Sequence, residues 1–125
     1  FWPVSDVRRF LDILAWYRMN VFHWHLTDDE AWRFEVRAFP ELTAIGATRG
    51  ADARLLPQLG DPSASRTDFY TQAELREVVA HAARLGIEVV PEIETPGHAT
   101  AMLAALPHLV DAGEPAEVEA ADAGR

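Results

Sequence analysis

The chain has 125 residues, 49% of them hydrophobic, so it can form one domain with a core but is too short for most large enzyme folds. Its 20 acidic and 11 basic residues give a formal charge of -9, which repels phosphate backbones and disfavours nucleic acid as a partner. It has no cysteine for disulfides or metal thiolates, no apolar run of the roughly 18 residues that a membrane span needs and no signal-peptide pattern, which favours a soluble chain.

The first residues predict a helix that is followed at once by a strand. Apolar side chains recur at three- and four-residue spacing from Val7 to Tyr17, which predicts a helix from about Asp6 to Arg18. Ser5 is the expected N-cap, and Asn20 is the expected left-handed residue at the end of the helix.

The strand is predicted from Val21 to about Leu26. Its side chains alternate, with Phe22, Trp24 and Leu26 on one face and Val21, His23 and His25 on the other. Because both faces carry bulky side chains, we expect a parallel strand that is buried on two sides. In this interpretation His23 is a packed core histidine, and Trp24 also belongs to the core.

The rest of the chain predicts two more helices and one more strand. Residues 40–70 have no sustained period and are rich in glycine, proline, serine and aspartate, as in functional or disordered loops. Thr71 and Glu74 have capping-box spacing, and the helix after them is expected to stop at Gly86. Its expected buried side chains are Leu75, Val78, Val79 and Ala82. Residues 87–93 predict a strand and residues 99–106 a short helix.

This order of elements predicts the fold class. Helix, strand, long loop, helix, strand and helix together indicate an α/β domain with a parallel sheet over residues 1–110. Residues 111–125 are rich in acids and alanine and are predicted to be a disordered tail.

Acids and imidazoles follow both predicted strands. His25, Asp28, Asp29 and Glu30 come at the end of the first strand, and Glu92, Glu94 and His98 come at the end of the second. Ligands of parallel α/β sheets bind at the carboxyl ends of the strands, so both groups of residues are expected at one rim. Such a rim fits three kinds of site: a His-x-His metal site completed by carboxylates, a glycosidase pocket, or a non-catalytic binding surface.

Each of these residues also has an interpretation that needs no function. Asp28 and Asp29 fit a solvated turn that caps the following segment, and His98 fits a helix start that bonds to its own turn. Trp32 stands in a loop among charged residues, where an exposed packing residue and a platform for a sugar face are equally favoured. The spacing of these residues therefore leaves the kind of site open.

Longer stretches of the sequence carry a family resemblance. Taken in order, they are WYRMNVFHWHLTDDEAWRFEV, FPELTAIGA, Tyr70-Thr71 and ELREVVAHAARLGIEVVPEIETPGHATAMLAALPHL. Together they resemble glycoside hydrolase family 20, the β-N-acetylhexosaminidases, over nearly everything from Phe1 to Leu109. The resemblance implies a (β/α)8 TIM barrel, which needs about 250 residues. Residues 1–110 would then be a partial catalytic domain that contains the early βα units only.

The resemblance also implies a reaction. The substrate would be a glycan that ends in β-linked N-acetylglucosamine or N-acetylgalactosamine. In this family the acetamido oxygen of the substrate attacks the anomeric carbon with retention, and neither a metal nor another cofactor is needed. The remaining barrel segments would be needed as partners to complete the site.

By resemblance, Asp28 and His98 are the catalytic residues of this chain. They match the family's first aspartate after the His-x-His strand and the histidine of its Pro-Gly-His turn, and both are expected in a hydrogen-bonded network that tunes the general acid. Four further residues are expected to bind substrate or to support this pair: His25, Asp29, Trp32 and Glu94. Glu94 stands where the family more often has Asp.

Two functional groups of the family are absent from this sequence. Family members carry a consecutive Asp-Glu pair after the fourth strand, in which the Asp orients the acetamido group and the Glu is the general acid. The one consecutive pair here, Asp29-Glu30, belongs to the second-strand motif. The family's sugar-binding Arg would lie two positions before Phe1. We therefore expect a fragment or truncated product that is inactive by itself.

Overall fold

The computed structural model of the chain describes residues 1–50 and 65–110. It contains two long helices, α1 (Val4–Trp16) and α3 (Gln72–Arg84), and two five-residue strands, β1 (Val21–His25) and β6 (Glu88–Glu92). The shorter elements are β2 (Thr27–Asp28), β3 (Ala31–Trp32), α2 (Glu41–Ala44), β4 (Thr48–Arg49), β5 (Arg66–Thr67), α4 (Thr100–Ala105) and a 3-10 helix (Pro107–Leu109). The tail predicted at 111–125 and the middle of the predicted long loop lie outside the described residues.

β1 and β6 are parallel neighbours, which confirms the predicted α/β class. Their register pairs His23 with Val90 and His25 with Glu92. α1 and α3 pack against each other, and α3 also contacts β6. The carboxyl ends of both strands therefore lie side by side at one edge of the domain.

The core lies between this strand pair and the two long helices. Its buried members are Val7, Leu11, Phe22, Trp24, Leu26, Tyr70, Val78, Ala82 and Ile87. The alternation of β1 turns Phe22, Trp24 and Leu26 into this core, as predicted. The Trp24 ring lies 5.7 Å from the ring of Phe22 and 4.8 Å from that of Tyr70, measured between centroids. The helices therefore bury one face of β1.

The opposite face of β1 is uncovered in the described part of the chain. Val21 is exposed, and the side chain of His23 is 64% exposed. Val90, beside His23 on β6, is exposed as well. The prediction that β1 is buried on both faces, with His23 in the core, is therefore wrong for this structure, because the two helices pack on the same side of the strand pair.

The ends of α1 differ from the capping predictions. The helix begins after Pro3, and no side chain caps it, so the predicted Ser5 cap is wrong. Pro3 is the N-cap residue, and its φ of -64° and ψ of 156° give the extended backbone that N-cap residues adopt and that the fixed φ of proline permits. The left-handed residue after α1 is Arg18, with φ of 60°, rather than Asn20.

α3 has the predicted start and end. Thr71 Oγ1 accepts from the Glu74 amide at 3.2 Å, and the Glu74 carboxylate accepts from the Thr71 amide at 2.8 Å, which forms the predicted capping box. Gly86, with φ of 72°, follows the end of the helix in the conformation that favours glycine. Val78 is buried as predicted, but Val79 is exposed, because the next residue lies about 100° further round a helix.

A second packing region lies beside the carboxyl end of β1. α4 packs there on α2, β2 and β3. The buried residues of this region are Trp32, Leu42, Ala105 and Leu106. Gly46 allows close approach, since an added Cβ would lie 2.6 Å from the carbonyl oxygen of Leu42 and 3.0 Å from that of Ala101. Among the helices of the described ranges, none has both the length and the apolar character that a membrane crossing requires.

Candidate active site

Four side chains form one row of imidazole–carboxylate contacts where β1 and β6 end. Glu92 Oε2 lies 2.8 Å from His23 Nε2 and 3.0 Å from His25 Nδ1. The other ring nitrogen of His25, Nε2, lies 3.2 Å from Asp28 Oδ2. This imidazole–carboxylate row therefore runs from His23 through Glu92 and His25 to Asp28. It lies on the face of the strand pair that the helices leave uncovered.

The geometry of His25 indicates its protonation state. A neutral imidazole has a single N–H, and the lone pair on its second nitrogen is repelled by a carboxylate. Both ring nitrogens of His25 face carboxylate oxygens, so the doubly protonated ring fits best. Partial burial lowers the pKa of His25, but hydrogen bonds to Glu92 and Asp28, together with their charges, outweigh burial and raise that pKa above 6.5. His25 therefore lies between two carboxylates that favour its positive form.

His98 forms a second imidazole–carboxylate pair at the same rim. It follows the Pro-Gly turn with φ of 50°, and its Nδ1 donates to Glu94 Oε2 at 2.9 Å. This hydrogen bond, with the charges of Glu94 and Asp28, raises the pKa of His98 above its ordinary value. Glu94 is anchored in turn, because its amide donates to Thr27 Oγ1 at 2.9 Å. The segment after β6 is thereby fixed to β2.

Asp29 connects the rim to α4. Its Oδ1 accepts from the Thr100 amide at 3.1 Å and from the Thr100 hydroxyl at 2.7 Å. These bonds cap a helix whose own N-cap residue, Ala99, makes no side-chain bond. Asp29 is thus a capping residue, as one interpretation held, but the helix that it caps is 71 residues away rather than next in sequence.

The structure brings the predicted site residues together in space. One nitrogen or carboxylate oxygen from each of Asp28, Asp29 and His98 lies within 4.8 Å of the others, and His25, Asp28 and Glu94 meet the same limit. Ligand atoms at this spacing could bind one divalent ion together. In this structure His25 bonds to Asp28 and His98 to Glu94, an arrangement that fits an acid–imidazole site, while Asp29 bonds to Thr100.

Trp32 does not lie at the surface of the rim. Its ring is 6% exposed, lies 4.7 Å from the Phe34 ring between centroids, and donates from Nε1 to the Phe34 carbonyl at 2.8 Å. Both sequence interpretations placed this ring at the surface, and both are wrong in that respect, because α4 packs over β3. Trp32 therefore lies beneath the rim and supports it through packing.

Two members of the row, Glu92 and His23, were not among the predicted site residues. Alternation already put His23 on the same face as His25. The pairing of Glu92 with His25 depends on the register of β1 against β6, which is a tertiary property. The sequence could have indicated this contact, because His25 and Glu92 each stand at the end of a predicted strand and the two strands were expected to be parallel.

An open cleft of about 880 Å³ runs along β1. Its lining includes Phe1, Trp2, Phe22, Trp24, His25 and Asp28. Phe22 and Trp24 belong to the core-facing side of β1, and further lining residues come from α1, so much of the aromatic wall lies apart from the face that carries the row. The cleft therefore marks the open edge of β1, and His25 and Asp28 lie at one end of it.

The fold and the site together define an α/β domain whose acids and imidazoles meet at the carboxyl ends of parallel strands. Comparison with known protein families identifies the family to which this chain belongs. The model of the glycosyl hydrolase family 20 catalytic domain matches residues 1–124, so the chain belongs to this family, and the predicted resemblance is confirmed.

Individual relatives agree with this assignment. The β-hexosaminidase of Vibrio furnissii is 52% identical over 107 residues, and the β-hexosaminidase subunit alpha of Rattus norvegicus is 35% identical over 108; each match covers 86% of this chain. A crystal structure of the exo-β-N-acetylglucosaminidase of Vibrio harveyi in complex with N-acetylglucosamine has a TM-score of 0.87 at 48% identity and covers 91% of this chain. This chain spans 18% of the length of each of these proteins.

Proposed function

We propose that this chain is part of a β-N-acetylhexosaminidase and supplies one wall of its active site. Membership of family 20 and relatives named β-hexosaminidase support this function. The observation that carries it is the imidazole–carboxylate row with the neighbouring His98–Glu94 pair, both at the carboxyl ends of adjacent parallel strands. Barrel enzymes have their catalytic groups at this end.

The same proposal assigns the strand pair to a (β/α)8 barrel, of which residues 1–110 form the early βα units. β1 and β6 would be consecutive barrel strands, and α1 and α3 would belong to the outer layer of helices. The uncovered face of the strand pair supports this arrangement, since Val21, His23 and Val90 would then face the barrel interior. A closed barrel needs about 250 residues, so further segments would complete it.

The proposed substrate is a glycan that ends in β-linked N-acetylglucosamine or N-acetylgalactosamine. Its acetamido oxygen bonds to the anomeric carbon while the bond to the leaving oxygen breaks, and a general acid gives that oxygen its proton. Water then opens the oxazoline-type intermediate, so the configuration is retained. The consecutive Asp-Glu pair that acts here in the family would come from the remaining barrel segments.

Asp28 and His98 would act beside that general acid. Their charges change the free energy of its two protonation states, so Asp28 and protonated His98 determine how strongly the acid holds its proton. His25 and Glu94 hold this pair through the hydrogen bonds at 3.2 and 2.9 Å, and Asp29 fixes the rim to α4.

Hydrolysis of a 4-nitrophenyl β-N-acetylglucosaminide by the complete barrel tests the proposal. The barrel should turn over this substrate, and Asp28→Asn should lower kcat more than it raises KM, because the lost interaction acts in the transition state. Asp12→Asn is a matched control, since Asp12 bonds to His81 between α1 and α3 and should leave kcat unchanged. An unchanged kcat in Asp28→Asn would remove its catalytic role, and sugar binding without turnover would indicate a carbohydrate-binding function instead.

The isolated chain gives a second test. It contains no Asp-Glu pair besides Asp29-Glu30, so we expect the purified chain to show no hydrolysis of the same substrate. Turnover by the purified chain at enzyme-like rates, or turnover that survives Asp28→Ala and His98→Ala, would contradict the proposal.

A further inference from the structure

We infer that Glu92 is a positioning residue of this active site: it holds His25 so that the second ring nitrogen of His25 fixes Asp28 at the rim. The inference rests on the proposed function and adds a residue to it. Glu92 is the common partner of two imidazoles, since its Oε2 lies 2.8 Å from His23 Nε2 and 3.0 Å from His25 Nδ1. Removing Glu92 would therefore take one carboxylate contact from each ring.

A carboxylate is the group that this position requires. Its negative charge attracts two imidazoles at once and stabilises the positive form of His25, which is the form that can also donate to Asp28. Glutamine has the same size but a neutral oxygen, which accepts more weakly, and an amide group that would face an N–H. With a neutral His25, one of its two hydrogen bonds is lost.

The surroundings of His25 show how large the effect of Glu92 can be. Glu92 from β6 and Asp28 from β2 contact the two ring nitrogens of His25. A carboxylate oxygen of Glu94, after β6, lies within 4.8 Å of one of these nitrogens. His23 from β1 contacts the same Glu92 oxygen as His25 does. The Glu92 side chain is 27% exposed, against 50% for His25 and 49% for Asp28, so it is the most enclosed member of this trio. Asp28 and Glu94 still attract a proton to His25 when Glu92 is replaced, so a partial loss is expected.

Kinetics of Glu92→Gln and Glu92→Asp in the complete barrel test the inference. Glu92→Gln should lower kcat about tenfold, the loss expected for one charge-assisted hydrogen bond, with a change in KM of less than about threefold. Because neutral glutamine lowers the pKa of His25, the fall of kcat on the alkaline side should also move to lower pH. Glu92→Asp restores the charge and should recover part of the lost kcat. Glu88→Gln, the same change at the other end of β6, is the matched control.

The outcomes separate this inference from the proposed function. An active wild-type barrel whose kcat and pH profile are unchanged in Glu92→Gln would overturn the inference alone. Equal losses in Glu92→Gln, Glu92→Asp and Glu88→Gln would indicate a structural role and would also overturn it. A wild-type barrel without turnover would overturn the proposed function, and NMR titration of His25 in the same barrel would then test the contact itself: a pKa that does not move toward 6.5 in Glu92→Gln means that Glu92 does not hold the ring.

Discussion

Replacing Asp29 with alanine should loosen the amino end of α4. Asp29 Oδ1 accepts from the Thr100 amide at 3.1 Å and from its hydroxyl at 2.7 Å, and α4 has six residues and no side-chain cap at its own N-cap residue. The loss of an N-cap side chain costs about 1 kcal/mol, within a range of roughly 0.5–2. Since a second bond is lost with it, we expect the free energy of local opening at α4 to fall by about 1–2 kcal/mol.

Amide hydrogen exchange measures this change at individual residues. A loss of about 1–2 kcal/mol corresponds to roughly 5–30-fold faster exchange at Thr100 and Leu103, whose amides bond to Asp29 and Ala99. Asp29→Asn keeps an accepting oxygen, and Thr100→Val removes the hydroxyl only, so both should have smaller effects. Unchanged exchange at α4 in Asp29→Ala, or an equal rise throughout α3, would refute this reasoning.

Three further outcomes are expected. Gly46→Ala should destabilise the packing of α2 on α4 by more than about 1 kcal/mol, seen as faster amide exchange in both helices, because the added Cβ would lie 2.6 Å from the Leu42 carbonyl oxygen. His98 should titrate by NMR with a pKa above 6.5, and Glu94→Gln should lower that pKa. Because the folded-state pKa of His98 is raised, the stabilisation from its bond to Glu94 is fully present below the unfolded-state pKa and is lost as pH rises through the folded-state value. The uncovered strand face should make the isolated chain associate and bind an apolar dye.

Each expectation has a contrary result. Unchanged exchange in Gly46→Ala would show that the close approach of α2 and α4 is not a constraint. A pKa of His98 at or below 6.5 would show that its bond to Glu94 does not persist in solution. A sharp cooperative melt of a dilute monomer would show that the exposed strand face needs no partner.

The elements near the strand pair could be predicted because their signals are local. The capping box of Thr71 and Glu74 lies within four residues, and the alternation of β1 follows from its pleat, so both were confirmed. Parallel pairing followed from the order of helices and strands. The position of Pro3 at the start of α1 was missed because Ser5 is the stronger cap by residue type.

The rest of the site depends on contacts between distant parts of the chain. Glu92 meets His25 through the register of two strands, Asp29 caps a helix far along the sequence, and Trp32 is buried by α4. None of these contacts leaves a periodic pattern in the sequence. His23 was misplaced for a related reason, since a bulky strand face predicts burial whether or not the covering elements belong to the described residues. The family resemblance named Asp28 and His98 together with His25 and Glu94, but the pairing of Asp28 with His25 and of His98 with Glu94 became visible only in the structure.

A crystal structure of the complete barrel with bound N-acetylglucosamine is the most direct test of the proposed active site. The proposal predicts that the sugar lies at the carboxyl ends of β1 and β6, with Asp28 and His98 next to the Glu of an Asp-Glu pair from a later strand. A sugar bound away from this rim, or a divalent ion held by Asp28 and His98 in its place, would contradict the proposal.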